Sequence, residues 1–199
     1  MLYYRDPRLT QMLTGCPFDR TQDAAFAALA TQPGVQTIIS GGSTSDLVAR
    51  ELNRPIDTPL TALDPEVPAG SEIPGIELVT EGCVTLSKVI ELLRNPGPDV
   101  RVNPATKMRD LLLKSDRIFI DVGTAINPAH QDPNLPVALD IRRNIVKDLA
   151  NVLQMRYFKE VEIKFLSFCF LKYPKLFCNR LTVNIQIAAR IPAVQSYLY

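Results

Sequence analysis

Cysteine is sparse: the four residues Cys16, Cys83, Cys169 and Cys178 are scattered, with no C-x-x-C pair among them. That spacing argues against a zinc site and against a secreted disulfide framework. Histidine is scarcer still, since His130 is the only one. No run of about 18 uncharged apolar residues occurs, so no membrane span is expected. The start MLYYRDPRLT is charged and lacks the apolar centre of a signal peptide. Together these absences lead us to expect reduced thiols and a cytoplasmic location. The net charge is only +1, which gives no whole-chain electrostatic argument for nucleic acid. Walker A and G-x-G-x-x-G phosphate loops are both missing.

What is present suits one domain with an appendage. The chain has 199 residues, 46% hydrophobic and 22% charged, enough for a real core. Charge is unevenly placed. Residues 167–199 hold no Asp or Glu but carry Lys172, Lys175, Arg180 and Arg190. They also hold six of the fourteen aromatics. We therefore divide the chain into a remnant or linker (1–7), an α/β domain (8–166) and an atypical basic aromatic tail (167–199).

Within 8–166, apolar runs alternate with amphipathic ones. Strands are expected over 8–14, 35–40, 76–80, 117–122 and 159–165. Helices are expected over 20–32, 45–53, from a Thr85 cap to about 93 with Leu86, Val89, Ile90 and Leu93 on one face, from Asn103-Pro104 to about 114, and from Pro136 to about 157. In the first helix Phe18 and Asp19 read as staple and cap, with Ala25, Phe26, Leu29 and Ala30 inward. In the last, Ile141, Ile145, Leu149 and Val152 form the stripe. Residues 54–75 hold five prolines and form a long loop, either functional or draped over the surface. The alternation predicts a three-layer α/β sandwich: a mostly parallel sheet of about five strands with helices on both faces.

In such sheets ligands bind beyond the carboxyl ends of the strands. Four polar loops converge there: TGCP (14–17), SGGSTS (40–45), TEG (80–82) and GTAINPAHQDP (123–133). In the second, Gly41 and Gly42 permit close backbone approach. Ser43 and Thr44 offer hydroxyls and N–H groups at a helix N-terminus, which suits an anion or phosphate. The alternative is a tight turn with an ordinary Ser43 or Thr44 cap. Glu81, beside Gly82, suits a ribose hydroxyl or cation, or a structural bond to loop N–H groups. His130 lacks the partners of a metal site and an identifiable nucleophile, so a loop-locking bond is its expected role. Arg142 and Arg143 read as solvated or paired. The prolines of the fourth loop restrict Asn127, Asp132 and Leu135 and would hold Asn127, His130, Gln131 and Asp132 ready for a ligand. The candidate ligand-binding set is thus Gly41, Gly42, Ser43, Thr44, Glu81, Gly82, Asn127, His130, Gln131 and Asp132, with no catalytic or metal residue.

Five segments carry a resemblance: YYRDPR (3–8), ISGGSTSDLVAREL (39–52), LDPEVP (63–68), IPGIELVTEGCVTLSKVIELL (73–93) and VGTAINPAHQDPNLPVALDIRRNIVKDLANVL (122–153). They resemble the C-terminal accessory region of bacterial sporulation stage II protein E-type (PPM-type) serine/threonine phosphatases, over about residues 3–166. The resemblance implies a covalently preceding phosphatase domain. That domain is a β-sandwich whose aspartates bind Mg²⁺ or Mn²⁺, in motifs such as G-D-G-x-G-x-G. Those motifs, and any Asp-Gly pair, are missing here. The expectation is a ligand-sensing or interaction domain in signalling, not catalytic alone, with no cofactor in this chain. A phosphate-containing small ligand and oligomerisation are its expected partners. The rival expectation is an independent enzyme acting on a phosphorylated or nucleotide-like small molecule through Ser43 or Thr44, Glu81 and His130. Past Leu166 the resemblance stops. A frame-shifted or read-through end is the leading explanation of the tail, and a genuine oligomerisation or membrane-contact segment is the other.

Overall fold

The computed structural model describes residues 5–59, 64–97, 101–125 and 136–166, all within one compact unit. Five strands form a single sheet: β1 Leu9–Thr14, β2 Val35–Ser40, β3 Leu78–Thr80, β4 Arg117–Gly123 and β5 Glu160–Leu166. Every neighbouring pair is parallel, and the spatial order is β3-β2-β1-β4-β5. Helices α1 Asp23–Ala28, α2 Gly42–Leu52, α3 Cys83–Arg94, α4 Pro104–Lys114 and α5 Pro136–Tyr157 cover it. The expected α/β sandwich is the fold.

Side-chain alternation explains the layers. In the central strands Met12 and Ile38 enter one core with α3, α4 and α5. Their neighbours Leu13 and Ile39 enter a second core with α1 and α2. All four are fully buried, as strands covered on both faces require. The chain moves outward from β1 to β2 and β3, then returns past β1 to β4 and β5. Right-handed crossovers must change faces when the direction reverses, and the helices divide between the two cores accordingly. The direction reverses between β1 and β4, which makes their carboxyl ends the switch point of the sheet.

Local signals account for most element boundaries. Asn103 caps α4 through a capping box with Thr106, and Pro104 occupies the first turn. Lys159 N–H closes α5 on the Leu153 carbonyl at 3.1 Å, with Phe158 at φ 54° between them. Leu86, Val89, Ile90 and Leu93 form the expected stripe of α3.

Several expectations need correction. The helix expected over 20–32 is an α-helix only at 23–28, flanked by 3₁₀ turns at Arg20–Gln22 and Leu29–Thr31. The tighter 3₁₀ turns rotate the stripe, so Ala27 is buried and Ala25 is exposed. Asp19 does accept from Thr21 N–H, but Phe18 is 60% exposed and not a buried core residue. Ile141 is exposed, and Val146 and Leu153 fill the α5 interface instead. Thr85 does not cap α3; Gly82 is the N-cap and Thr85 is buried in the first turn.

The proline-rich loop is draped along the sheet edge. Ser71 N–H donates to the Val79 carbonyl, and Asp57 and Glu72 exchange both backbone bonds. Val67 and Ile73 anchor it as buried side chains. It therefore covers the open side of β3, the liability that edge strands carry. At the amino end of the sheet, Arg5 makes a two-pronged pair with Asp116 at 2.6 and 2.9 Å. Arg8 N–H adds a third bond to Asp116 at 2.7 Å. Residues 5–8 are thus tied to the domain.

Candidate functional site at the carboxyl edge of the sheet

Two pairs of glycines organise the edge. The first lies at the switch point. Gly15, just after β1, has φ 76°, a conformation that favours glycine. A Cβ there would lie 2.7 Å from the Gly123 carbonyl oxygen and 2.9 Å from an Arg142 guanidinium nitrogen. A Cβ on Gly123 would lie 2.1 Å from the Cys16 backbone. The loops after β1 and β4 therefore touch main chain to main chain. Ala125 N–H donates to the Cys16 carbonyl at 2.9 Å. The Thr124 hydroxyl donates to the Leu166 carbonyl at 2.6 Å, tying in β5.

The second pair is Gly41 and Gly42. Gly41 N–H donates to the Thr80 carbonyl at 2.8 Å, and the Ser40 hydroxyl donates to the Glu81 carbonyl at 3.1 Å. A Cβ on Gly82 would lie 3.7 Å from Gly41 Cα. The loops after β2 and β3 are thus held together as well. The Cys16 thiol donates to the Ser43 carbonyl at 3.4 Å and links the two halves.

Helix α2 starts earlier than its sequence predicts. Gly41 is the N-cap at φ 123°, and no side chain caps the helix. The cap expected at Ser43 or Thr44 is corrected: Thr44 is buried, and the Ser45 hydroxyl donates back to the Gly42 carbonyl at 2.7 Å. Thr44 and Ser45 N–H both bond the Gly41 carbonyl. Ser43 is exposed on the first turn, which carries no acidic residue of its own. Glu81 supplies the missing negative charge from outside. Its carboxylate oxygens lie 3.6 and 3.8 Å from where a Gly42 Cβ would stand, and an anion near a helix N-terminus is favourable.

Arg142 is the residue that sequence reasoning missed. It was read as solvated or paired, yet it is half-buried and reaches from α5 to Gly15 at the switch point. Among the described residues no carboxylate pairs with it. Thr14, the last residue of β1, is 1% exposed, and its hydroxyl has no hydrogen-bond partner among the described residues. Buried polar atoms are normally satisfied, so this hydroxyl needs an explanation. Nearby, burial pushes the Cys16 thiol above its usual pKa and Asp23 adds to the shift, against the opposing effects of Arg142 and Arg50. The thiol is therefore held protonated near neutral pH, which makes it a poor nucleophile.

Of the predicted site residues, Gly41, Gly42, Ser43, Thr44, Glu81 and Gly82 are brought together in the α2 and α3 half of the edge. Asn127, His130, Gln131 and Asp132 lie outside the described residues. Among the described residues no group of three or more metal-ligating side chains occurs, and no helix is long and apolar enough to cross a membrane. No protein-family model, curated protein or solved structure matches the chain.

Proposed function

We propose that this chain is a non-catalytic ligand-sensing or interaction domain that binds a phosphate-bearing small molecule at the switch point. The reading joins the resemblance to the region after a bacterial serine/threonine phosphatase domain with the geometry of the edge. One observation carries it: the Arg142 guanidinium stands against Gly15 with no carboxylate partner among the described residues. An arginine is suited to forked recognition of phosphate oxygens. The exposed Ser43 adds a polar group along the same edge, and the Thr14 hydroxyl lies buried at the end of β1. A cytoplasmic setting and a preceding phosphatase domain belong to the same proposal.

The rival enzyme requires Ser43 or Thr44, Glu81 and His130 to act together. Thr44 is buried, and neither hydroxyl bonds the Glu81 carboxylate among the described residues, so the rival gains no support from these three residues.

Calorimetric titration with inorganic phosphate, AMP and cyclic dinucleotides tests the proposal. At least one should bind with a dissociation constant below about 1 mM, a free energy of about −4 kcal/mol. Arg142→Ala should weaken it at least about tenfold, as loss of a charged hydrogen bond costs about 1.5–3 kcal/mol. No binding by any of them, or equal binding by the variant, would overturn the reading. Manganese-dependent turnover of a phosphoserine peptide that survives repurification would overturn its non-catalytic part.

A further inference from the structure

A second surface lies along the β3 edge and shares no residue with the switch point. A groove of about 540 Å³ runs between the proline-rich loop and the start of α4. That size falls in the range of built ligand sites, about 300–1,000 Å³. Pro55, Pro59, Pro74 and Pro104 line it. Their rings are already fixed, so ordering them on binding costs little. Val102 also lines it, and 76% of this large apolar residue is exposed.

The rim is charged on one side of the balance. Among the described lining residues, Asp57, Glu72 and Glu77 stand against one cation, Lys107. All three acids are exposed. Among the described residues none of them forms an ion pair or a side-chain hydrogen bond. Of the cations flanking the lining residues, Arg54 donates to the Pro74 carbonyl at 2.7 Å, and Arg101, beside Val102 in sequence, interacts with the Asp64 carboxylate. Covering the β3 edge accounts for the loop's backbone bonds. It accounts for neither the exposed Val102 nor three unpaired carboxylates around it. Unpaired acids beside an apolar wall are complementary to a segment that alternates basic and aliphatic side chains.

We infer that this groove docks a short basic peptide segment of a partner protein, with Val102 contacting an aliphatic side chain and Asp57, Glu72 and Glu77 facing its cations. Fluorescence anisotropy with a labelled nonapeptide alternating arginine and valine tests it. The same peptide with citrulline for arginine is the control, since it keeps size and apolar content but loses charge. The full chain should bind the basic peptide, more weakly as salt rises, and bind the control at least about tenfold less well. The triple variant Asp57→Asn, Glu72→Gln, Glu77→Gln should lose at least about tenfold in affinity. Val102→Lys places a repelling charge at an exposed position, so it should lose as much without loss of fold. Arg142→Ala should bind as the parent does, which separates this surface from the phosphate site. Equal binding of both peptides, equal binding by Val102→Lys, or no binding below about 1 mM would overturn the inference. So would self-association in sedimentation that the triple variant abolishes, because the groove would then hold a second copy of the chain.

Discussion

The two glycine pairs at the carboxyl edge, one adjacent in sequence and one brought together by the fold, differ in charge. Gly41 and Gly42 open α2, where the Glu81 carboxylate already stands beside the first turn. Gly15 and Gly123 press the β1 and β4 loops together, where Arg142 stands with no acid partner among the described residues. The GGST stretch is the more conspicuous, but its helix end is already provided with an anion. The less conspicuous pair holds the open cation. A helix N-terminus attracts an anion only where the fold has not already placed one there.

That contrast is broken most severely at Gly123. Gly123→Ala would drive a Cβ into the Cys16 backbone, 2.1 Å away. Overpacking against main chain should cost about 3 kcal/mol or more, a fall in Tm of roughly 6–12 °C for a domain of this size. Gly42→Ala is the matched control, since its Cβ would meet only Glu81 at 3.6 Å. Differential scanning calorimetry should show a small change there, and equal losses at the two positions would break the contrast.

Arg142→Ala ranks next, with its main effect on ligand affinity. Its stability should change by no more than about 1 kcal/mol, since among the described residues it has no ion pair to lose. Glu81→Gln should act in the opposite direction. Removing its charge should cost α2 about 0.3–1 kcal/mol while tightening phosphate binding. Weaker binding by Glu81→Gln would make Glu81 a ligand contact and overturn its structural role.

The smallest effect is at the amino end of the sheet. Hydrogen bonds from Arg5, then from Arg8 N–H, hold the Asp116 carboxyl well below the usual carboxylate range. A depressed acid stabilises the fold above its unfolded pKa of about 4 and loses that contribution as pH falls through the folded value. The Tm gap between the parent and Asp116→Asn should therefore be constant above about pH 5 and close as pH falls below about 4. A gap that widens on acidification would contradict this linkage.

Legibility followed distance along the chain. The Asn103 cap, the Pro104 first turn and the α3 stripe are local, and residues within a few positions determine them. Alternating apolar runs revealed the parallel sheet because central strands are buried on both faces. The α2 start was displaced because Gly41 adopts φ 123° without a side-chain cap, which no hydroxyl pattern announces. The approach of Arg142 to Gly15 was not legible because it depends on strand order. Only the placement of β4 beside β1 brings the α5 guanidinium to Gly15. The same holds for Gly123, whose nearest neighbour is Cys16, distant in sequence.

The proposed phosphate site lies at Gly15 and Arg142. A two-dimensional ¹H–¹⁵N titration of the assigned chain with the best-binding phosphate compound tests it most directly. Saturable shifts are expected at the amides of Gly15, Cys16 and Ser43 and at the Arg142 side chain, and none at the three amides in Arg142→Ala. Shifts confined to Gly82 and the start of α3, or shifts that persist in the variant, would contradict it.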